Sequence, residues 1–219
     1  MKEYSRTYVS VDLGAVRHNI EEARKNIRED TKIMAVVKAD AYGHGAVEVS
    51  HALSDLVDAY GVAMAEEALE LRQSGIRKRI LILGYTAEDW FPELIGHRIA
   101  QTVYTWEMAE KLNRAAEQLG QKAIVHIKLD TGMGRIGFAA ADENVRVVKQ
   151  ISALPYLELE GIFTHFARAD EAAPDPIREP FHRFQFFVTK LEREGIHIPI
   201  RHVSNSAAII NFPEGNLNM

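Results

Sequence analysis

The sequence predicts an α/β protein with a parallel sheet, and three observations carry that prediction. Short β-branched or aliphatic runs alternate with helical patterns along almost the whole chain. The runs are nearly continuously apolar, as in strands covered on both faces. Several helical patterns stop at a glycine suited to a left-handed helix end. Strand–helix units in series imply parallel strands joined by right-handed crossovers.

In chain order, the opening YVSVDL alternates apolar and polar residues and reads as an edge strand that pairs outside the main sheet. Leu13, Val16, Ile20, Ala23 and Ile27 then recur at helical steps behind Asp12, a candidate N-cap. Strands are expected at IMAVVK (33–38), YGVAM (60–64), RILILG (79–84), IAQTVY (99–104), AIVHIKLD (123–130), LEGIFTH (159–165) and IRHVS (200–204). Helices are expected in AEEALELRQSG, WEMAEKLNRAAEQLG and PFHRFQFFVTKLEREG, closing at Gly75, Gly120 and Gly195. Pro180 suits the first turn of the last one. A closed (β/α)8 barrel needs eight strands and typically about 250 residues. The expectation is therefore an incomplete TIM-like barrel of about seven parallel strands. No low-complexity linker breaks the series, so residues 1–219 are assigned to one barrel domain.

Composition removes several classes of function. Apolar residues make up 47% and charged residues 26%, as in an ordinary soluble domain. A net charge of −5 with no basic block argues against a nucleic-acid surface. The absence of cysteine excludes disulfides, thiolate metal sites and cysteine nucleophiles. The N-terminus MKEYSRTYVSVDL has no apolar signal core, and no segment approaches a membrane-spanning length. A cytoplasmic protein with no membrane partner is expected.

In a β/α barrel the chemistry gathers at the C-terminal ends of the strands. Those ends carry Lys38, Lys128, Asp130, His165 and the Ser204–Asn205–Ser206 cluster. In VVKADAYGHG, Lys38 follows an apolar run, where an ammonium is costly to bury unless paired or neutralised. By position alone it either snorkels from the strand end or is a Schiff-base lysine with a depressed pKa. Tyr42 and His44 either decorate the loop or offer hydrogen bonds to a phosphate or carbonyl oxygen.

The loop DTGMGRIG matches a dinucleotide fingerprint at Gly132, Gly134 and Gly137, but it lies mid-chain. The next helical pattern begins only near Asp142, so the fingerprint lacks its helix. A tight turn that points Arg135 inward as an anion clamp is the preferred reading. His165 reads as a core histidine or a ligand, and Lys128, His165 and His202 have the order of a carboxylated-lysine metal hydrolase. However, the first strand ends in Lys38-Ala39-Asp40 rather than His-x-His, and no HExxH occurs. No metal site is expected. NSAA is either a capped helix start or a phosphate seat formed by backbone N–H groups and the Ser206 hydroxyl.

Together AVVKADAYGHG, HIKLDTGMGRIG, GIFTHFARAD and HVSNSAA resemble the alanine racemase family, over most of the chain and nearly without gaps. These are cytoplasmic, homodimeric isomerases that use pyridoxal 5'-phosphate to interconvert L- and D-alanine, supplying D-alanine for cell-wall peptidoglycan. The resemblance implies that Lys38 holds the cofactor as an aldimine and acts as one of two opposed acid/bases. It implies that Tyr42 and Ser206 bind the phosphate, and that His165 lies against the pyridine ring. Arg135 would reach the cofactor's phenolic oxygen and the substrate carboxylate, steadied by an N-carboxylated Lys128. His202 would support an arginine facing the pyridine nitrogen, and Leu83 and Asn205 would line the pocket.

The chain stops at NLNM. In the family, the following residues complete the eighth strand and bring that arginine. A β-rich C-terminal domain then supplies a tyrosine base across a head-to-tail dimer. The expectation is the N-terminal part of a longer racemase, inactive alone, with a sheet edge liable to associate. A non-catalytic pyridoxal-phosphate carrier is the alternative, and a metal hydrolase a weaker one. Serine racemases share these motifs, so alanine against serine is left open.

Overall fold

The computed structural model describes residues 7–171 and 175–219, so residues 1–6 of the N-terminal stretch lie outside the described residues. All seven expected runs form strands: β1 (Met34–Val36), β2 (Ala59–Val62), β3 (Arg79–Ile82), β4 (Ala100–Val103), β5 (Ala123–Asp130), β7 (Leu157–Phe163) and β8 (Ile200–His202). They lie side by side in chain order, every pair parallel. A two-residue β6 (Phe138–Ala139) pairs only with the end of β5. The path curls until its two ends share one residue. Lys32, just before β1, donates its N–H to the Asn218 carbonyl at 3.1 Å, and Arg201 of β8 donates to Asn218 Oδ1 at 2.7 Å. The sheet is thus an incomplete β/α barrel.

Strand alternation divides side chains between two environments. Ala35, Tyr60, Val62, Ile80 and Ile82 point outward into a core shared with α3 (Ala46–Ala52), α4 (Ala65–Gln73) and α5 (Phe91–Gly96). Val103, Val125, Ile127, Leu129 and Ile162 do the same under α6 (Trp106–Leu119), α7 (Asp142–Ser152) and α8 (Asp175–Arg193). Covering both faces of each strand explains the continuous apolar runs. Each fully buried large side chain contributes roughly 1.5–3 kcal/mol. The intervening residues Leu81, Ala100, Ile124 and Phe163 pack with Met34 and Leu83 inside the barrel.

Helix ends follow local chemistry. Asp12 caps α1 (Leu13–Arg24), its Oδ1 accepting the Gly14 and Ala15 N–H groups at 2.8 and 3.1 Å. Gly75, Gly120 and Gly195 all stand at positive φ where the sequence calls for helix stops. YVSVDL pairs with no strand of this sheet among the described residues, and Tyr8 and Val9 are 70% and 84% exposed, which is consistent with a segment whose partner would lie outside the barrel. A lone extended segment without a partner leaves its backbone hydrogen bonds to water. One expectation fails. Pro180 lies inside α8 rather than in its first turn, because the helix starts at Asp175 and Pro176 takes the early position. The missing Pro180 N–H costs one bond, to the Pro176 carbonyl, and nineteen residues of packed amphipathic helix outweigh it. No described helix is long and apolar enough to cross a membrane.

Candidate active site

The interior residues of β1 lead directly to Lys38. Gly61 of β2 stands opposite, and a Cβ there would lie 3.2–3.4 Å from Leu83, Val36 and Met34. Its absence leaves room at the barrel mouth, where Val36 is 38% exposed although it faces inward. β1 ends early at Val36, the Val37 N–H still donating to the Gly61 carbonyl at 2.8 Å. The chain then enters α2 (Lys38–Gly43), a left-handed turn: Ala39, Asp40, Ala41 and Tyr42 have φ of 51, 53, 51 and 57°. Left-handed backbone costs an L-residue roughly 1–2 kcal/mol, so the four together store on the order of 5 kcal/mol. Asp40 braces the exit, its Oδ1 accepting the Ala46 N–H at 2.7 Å. Lys38 is half-buried, with Nζ 5.9 Å from the Tyr42 ring centroid. His44 turns back, Nδ1 lying 3.0 Å from the Ala41 carbonyl.

On β5, Ile124, His126 and Lys128 rise up the interior at two-residue steps. Lys128 is 3% exposed and donates to the Leu129 carbonyl at 2.6 Å. Burial pulls its amine down to about 8; nearby Asp130 opposes that fall and Arg135 adds to it. Asp130 then organises the glycine loop from its own strand end. Its Oδ1 accepts N–H groups of Gly132, Met133 and Gly134 at 2.9, 2.9 and 3.1 Å, and Oδ2 that of Arg135 at 3.1 Å. Burial raises the Asp130 carboxyl, but these four bonds outweigh it and hold it below its ordinary value. Arg135 is exposed at the rim rather than turned into a buried pocket.

His165 follows β7. Burial lowers its pKa, and the charges of Arg135, Lys128 and Lys38 lower it further. Lys38, Lys128 and His165 stand at the C-terminal ends of β1, β5 and β7 in one parallel sheet, so they lie on the same side of it, with Arg135 on the loop after β5. Beneath them, His202 stacks on Phe163 with centroids 4.6 Å apart and planes at 6°. Lys128 Nζ lies 5.3 Å from the same ring. Burial drives the His202 pKa well down, helped by His126 and Lys128, so this imidazole is neutral.

Sequence reading missed what lies below His202. Its Nε2 is 3.1 Å from His126 Nδ1, and His126 Nε2 donates to Glu160 Oε2 at 3.1 Å. Glu160 Oε1 accepts from Arg79 Nε at 2.6 Å. The β5–β7 register shifts beside His126, an irregularity that turns Glu160 inward. Gly161 makes room for the ring: a Cβ there would lie 2.2 Å from His126 Nδ1. Burial pushes the Glu160 carboxyl up, but bonds from His126 and Arg79 hold it at about 2. The acidic residues inside LELEG were the available signal.

After β8, Asn205 rather than a serine caps α9 (Ser206–Asn211), its Oδ1 accepting the Ala208 N–H at 3.0 Å. Ser206 is exposed at the first helical position. The Ser204 hydroxyl is buried without a hydrogen-bond partner among the described residues, and a Cβ on Gly215 would lie 3.1 Å from it. Among the described residues, no group of three or more His, Cys, Asp or Glu is placed to hold a metal ion. Two lysines, an arginine and an imidazole thus stand at the C-terminal end of one parallel sheet. That set suits an anionic group.

The family model for the N-terminal domain of alanine racemase matches residues 11–219. The chain belongs to the alanine racemase family. The alanine racemase of Methanococcus maripaludis is 45% identical over 213 residues, 97% of this chain and 57% of that protein. The solved alanine racemase of Clostridium difficile 630 superposes with a TM-score of 0.93 at 46% identity, covering 94% of this chain and 55% of that one. The histidine racemase of Leuconostoc mesenteroides shares the fold at 27% identity and a TM-score of 0.84, over 94% of this chain and 54% of its own. The chain spans a little over half the length of these relatives.

Proposed function

We propose that the whole protein is a pyridoxal-phosphate-dependent amino-acid racemase acting on alanine, with Lys38 as the attachment point of the cofactor. The observation that carries this reading is the placement of Lys38, Lys128 and His165 at the C-terminal ends of β1, β5 and β7, on one side of a parallel sheet, in a chain that matches the alanine racemase family over residues 11–219. The residues fit the cofactor. Gly61, opposite Val36, puts no Cβ among Leu83, Val36 and Met34 at the strand ends near Lys38, and the Ser204 hydroxyl, beyond β8, has no hydrogen-bond partner among the described residues.

When bound, pyridoxal phosphate supplies a conjugated electron sink that makes the amino acid's α-hydrogen acidic. The chain's own residues do the rest. Lys38 Nζ moves a proton to or from one face of the substrate Cα. Arg135, on the loop fixed by Asp130, would pair the substrate carboxylate and the cofactor's phenolic oxygen. Lys128 is N-carboxylated, which removes a buried ammonium and gives Arg135 an anion; an amine titrating at about 8 has the free base that carboxylation needs. Tyr42 and Ser206 would hold the phosphate, His165 would lie against the ring, and Leu83 and Asn205 would line the pocket. His202 stays neutral and supports the arginine that faces the ring nitrogen.

Racemisation needs an acid/base group on the opposite face as well. The family resemblance assigns it to a tyrosine of a C-terminal domain, delivered within a cytoplasmic homodimer that makes D-alanine for peptidoglycan. The 219-residue chain alone is therefore expected to take up cofactor without turning over alanine. Alanine is preferred over other amino acids on the 45% identity to a named alanine racemase against 27% to the histidine enzyme.

The test is a titration of the chain with pyridoxal phosphate, followed by absorbance, borohydride reduction and peptide mapping. A visible-edge band with the adduct on Lys38, lost in Lys38→Ala, supports the reading. A band that survives in Lys38→Ala overturns it.

A further inference from the structure

We propose that Glu67 is a positioning residue for Lys38, holding the left-handed turn that aims the amine. The inference rests on the reading of Lys38 as the cofactor's attachment point.

Glu67 belongs to the next β/α unit, in the first turn of α4. Its Oε1 accepts the Ala39 N–H at 2.7 Å, immediately after Lys38. Its Oε2 accepts the Ala63 N–H at 2.6 Å and the Met64 N–H at 3.3 Å, at the end of β2. One carboxylate thus ties the exit of β1 to the exit of β2.

The bland reading is a capping box, in which the third helical residue accepts from the N-cap backbone. That accounts for the Met64 bond, which is the longest of the three. It does not account for the short bonds to Ala63 and Ala39, one of them 28 residues away. Nor would a helix cap need both oxygens. The turn supplies the demand: four non-glycine residues in left-handed backbone persist only where surrounding structure over-determines them. Charge-assisted bonds to backbone N–H groups are roughly twice as strong as neutral ones. The Ala39 bond acts at the residue where the backbone changes hand, so it fixes the direction of Lys38.

Glutamine is the discriminating substitution. It has the same shape, but its amide nitrogen donates, so it can serve Ala39 or Ala63 and must face the other N–H with an N–H of its own. The experiment titrates the full chain with pyridoxal phosphate and maps the reduced adduct, comparing Glu67→Gln, Glu67→Asp and Lys38→Ala. Expected are tenfold or weaker cofactor uptake at Lys38 in Glu67→Gln and a partial recovery in Glu67→Asp. The far-ultraviolet circular dichroism should not change. Uptake by Glu67→Gln equal to that of the unsubstituted chain overturns the role of Glu67 and leaves the reading of Lys38 intact. No adduct on Lys38 in the unsubstituted chain removes the parent reading and this inference with it. Should Glu67→Gln not fold, amide hydrogen exchange on the unsubstituted chain decides. Protection of Ala39 at the level of β2 supports the clamp, and exchange as fast as an open loop overturns it.

Discussion

The turn after β1 and the loop after β5 both run through left-handed backbone, but the first passes through four non-glycine residues before it reaches Gly43, whereas the second takes it up at glycines. Gly132, Gly134 and Gly137 take φ of 142, 69 and 137° in the DTGMGRIG loop. In the Lys38 turn the same region is occupied by Ala39, Asp40, Ala41 and Tyr42. Each segment is bound by a carboxylate that accepts backbone N–H groups. Asp130 reaches residues two to five positions ahead of it, whereas Glu67 comes from another strand–helix unit. A loop with suitable residues can be organised by its neighbour in sequence. A strained one is held from outside.

The largest expected effect concerns the lysine beneath both segments. The folded pKa of Lys128, about 8, lies below the roughly 10.4 of an unfolded lysine. Between those values the unfolded chain binds more protons, so stability should rise with pH from about 8 to about 10.4. The rise should amount to up to about 3 kcal/mol. Denaturant titrations of the chain and of Lys128→Met in carbon-dioxide-free buffer would show it. A stability difference between them that stays flat over that window would mean that the amine is not held neutral by burial.

Asp130→Ala removes the shared acceptor of four N–H groups and should destabilise the chain by about 2 kcal/mol, with water taking over part of the bonding at this exposed loop. Chemical denaturation measures the loss. Asp130→Asn, which keeps one carboxamide oxygen, should lose less. If Ala and Asn are equal, the carboxylate is not what organises this loop.

Two smaller substitutions test the difference between the segments by sign. Nothing lies within 4 Å of a Cβ placed on Gly134, so Gly134→Ala adds backbone strain alone, about 1 kcal/mol destabilising. Ala39 is exposed at φ 51°, so Ala39→Gly should release strain beyond its entropic cost and stabilise by about 0.5 kcal/mol. Thermal or denaturant midpoints of the pair would check the contrast. Equal signs would break it.

Much of the site was legible because it sits at strand ends, and strand ends follow from hydrophobic runs. Lys38, Lys128 and His165 stand at the strand ends that the apolar runs predict, and the glycines of DTGMGRIG announce a turn that the structure contains. YVSVDL stays exposed and unpaired within this sheet, because alternation makes a half-buried strand only where a partner is present. Pro180 misled because helix length is set by the packed face of α8, which extends back to Asp175. Arg79 and Glu160 are 81 residues apart and meet only through the curl of the sheet.

By itself the sequence determined the series of strands, the glycine stops, the Asp12 cap and the motifs of the family. Each of these depends on residues a few positions apart. Tertiary structure alone decided the hand of the Lys38 turn and the chain of contacts from Arg79 to His202. Alanine, aspartate and tyrosine carry no strong preference for left-handed backbone, so nothing local announces it. The stabilisation that permits it arrives from Glu67, on an element that only the folded sheet brings alongside.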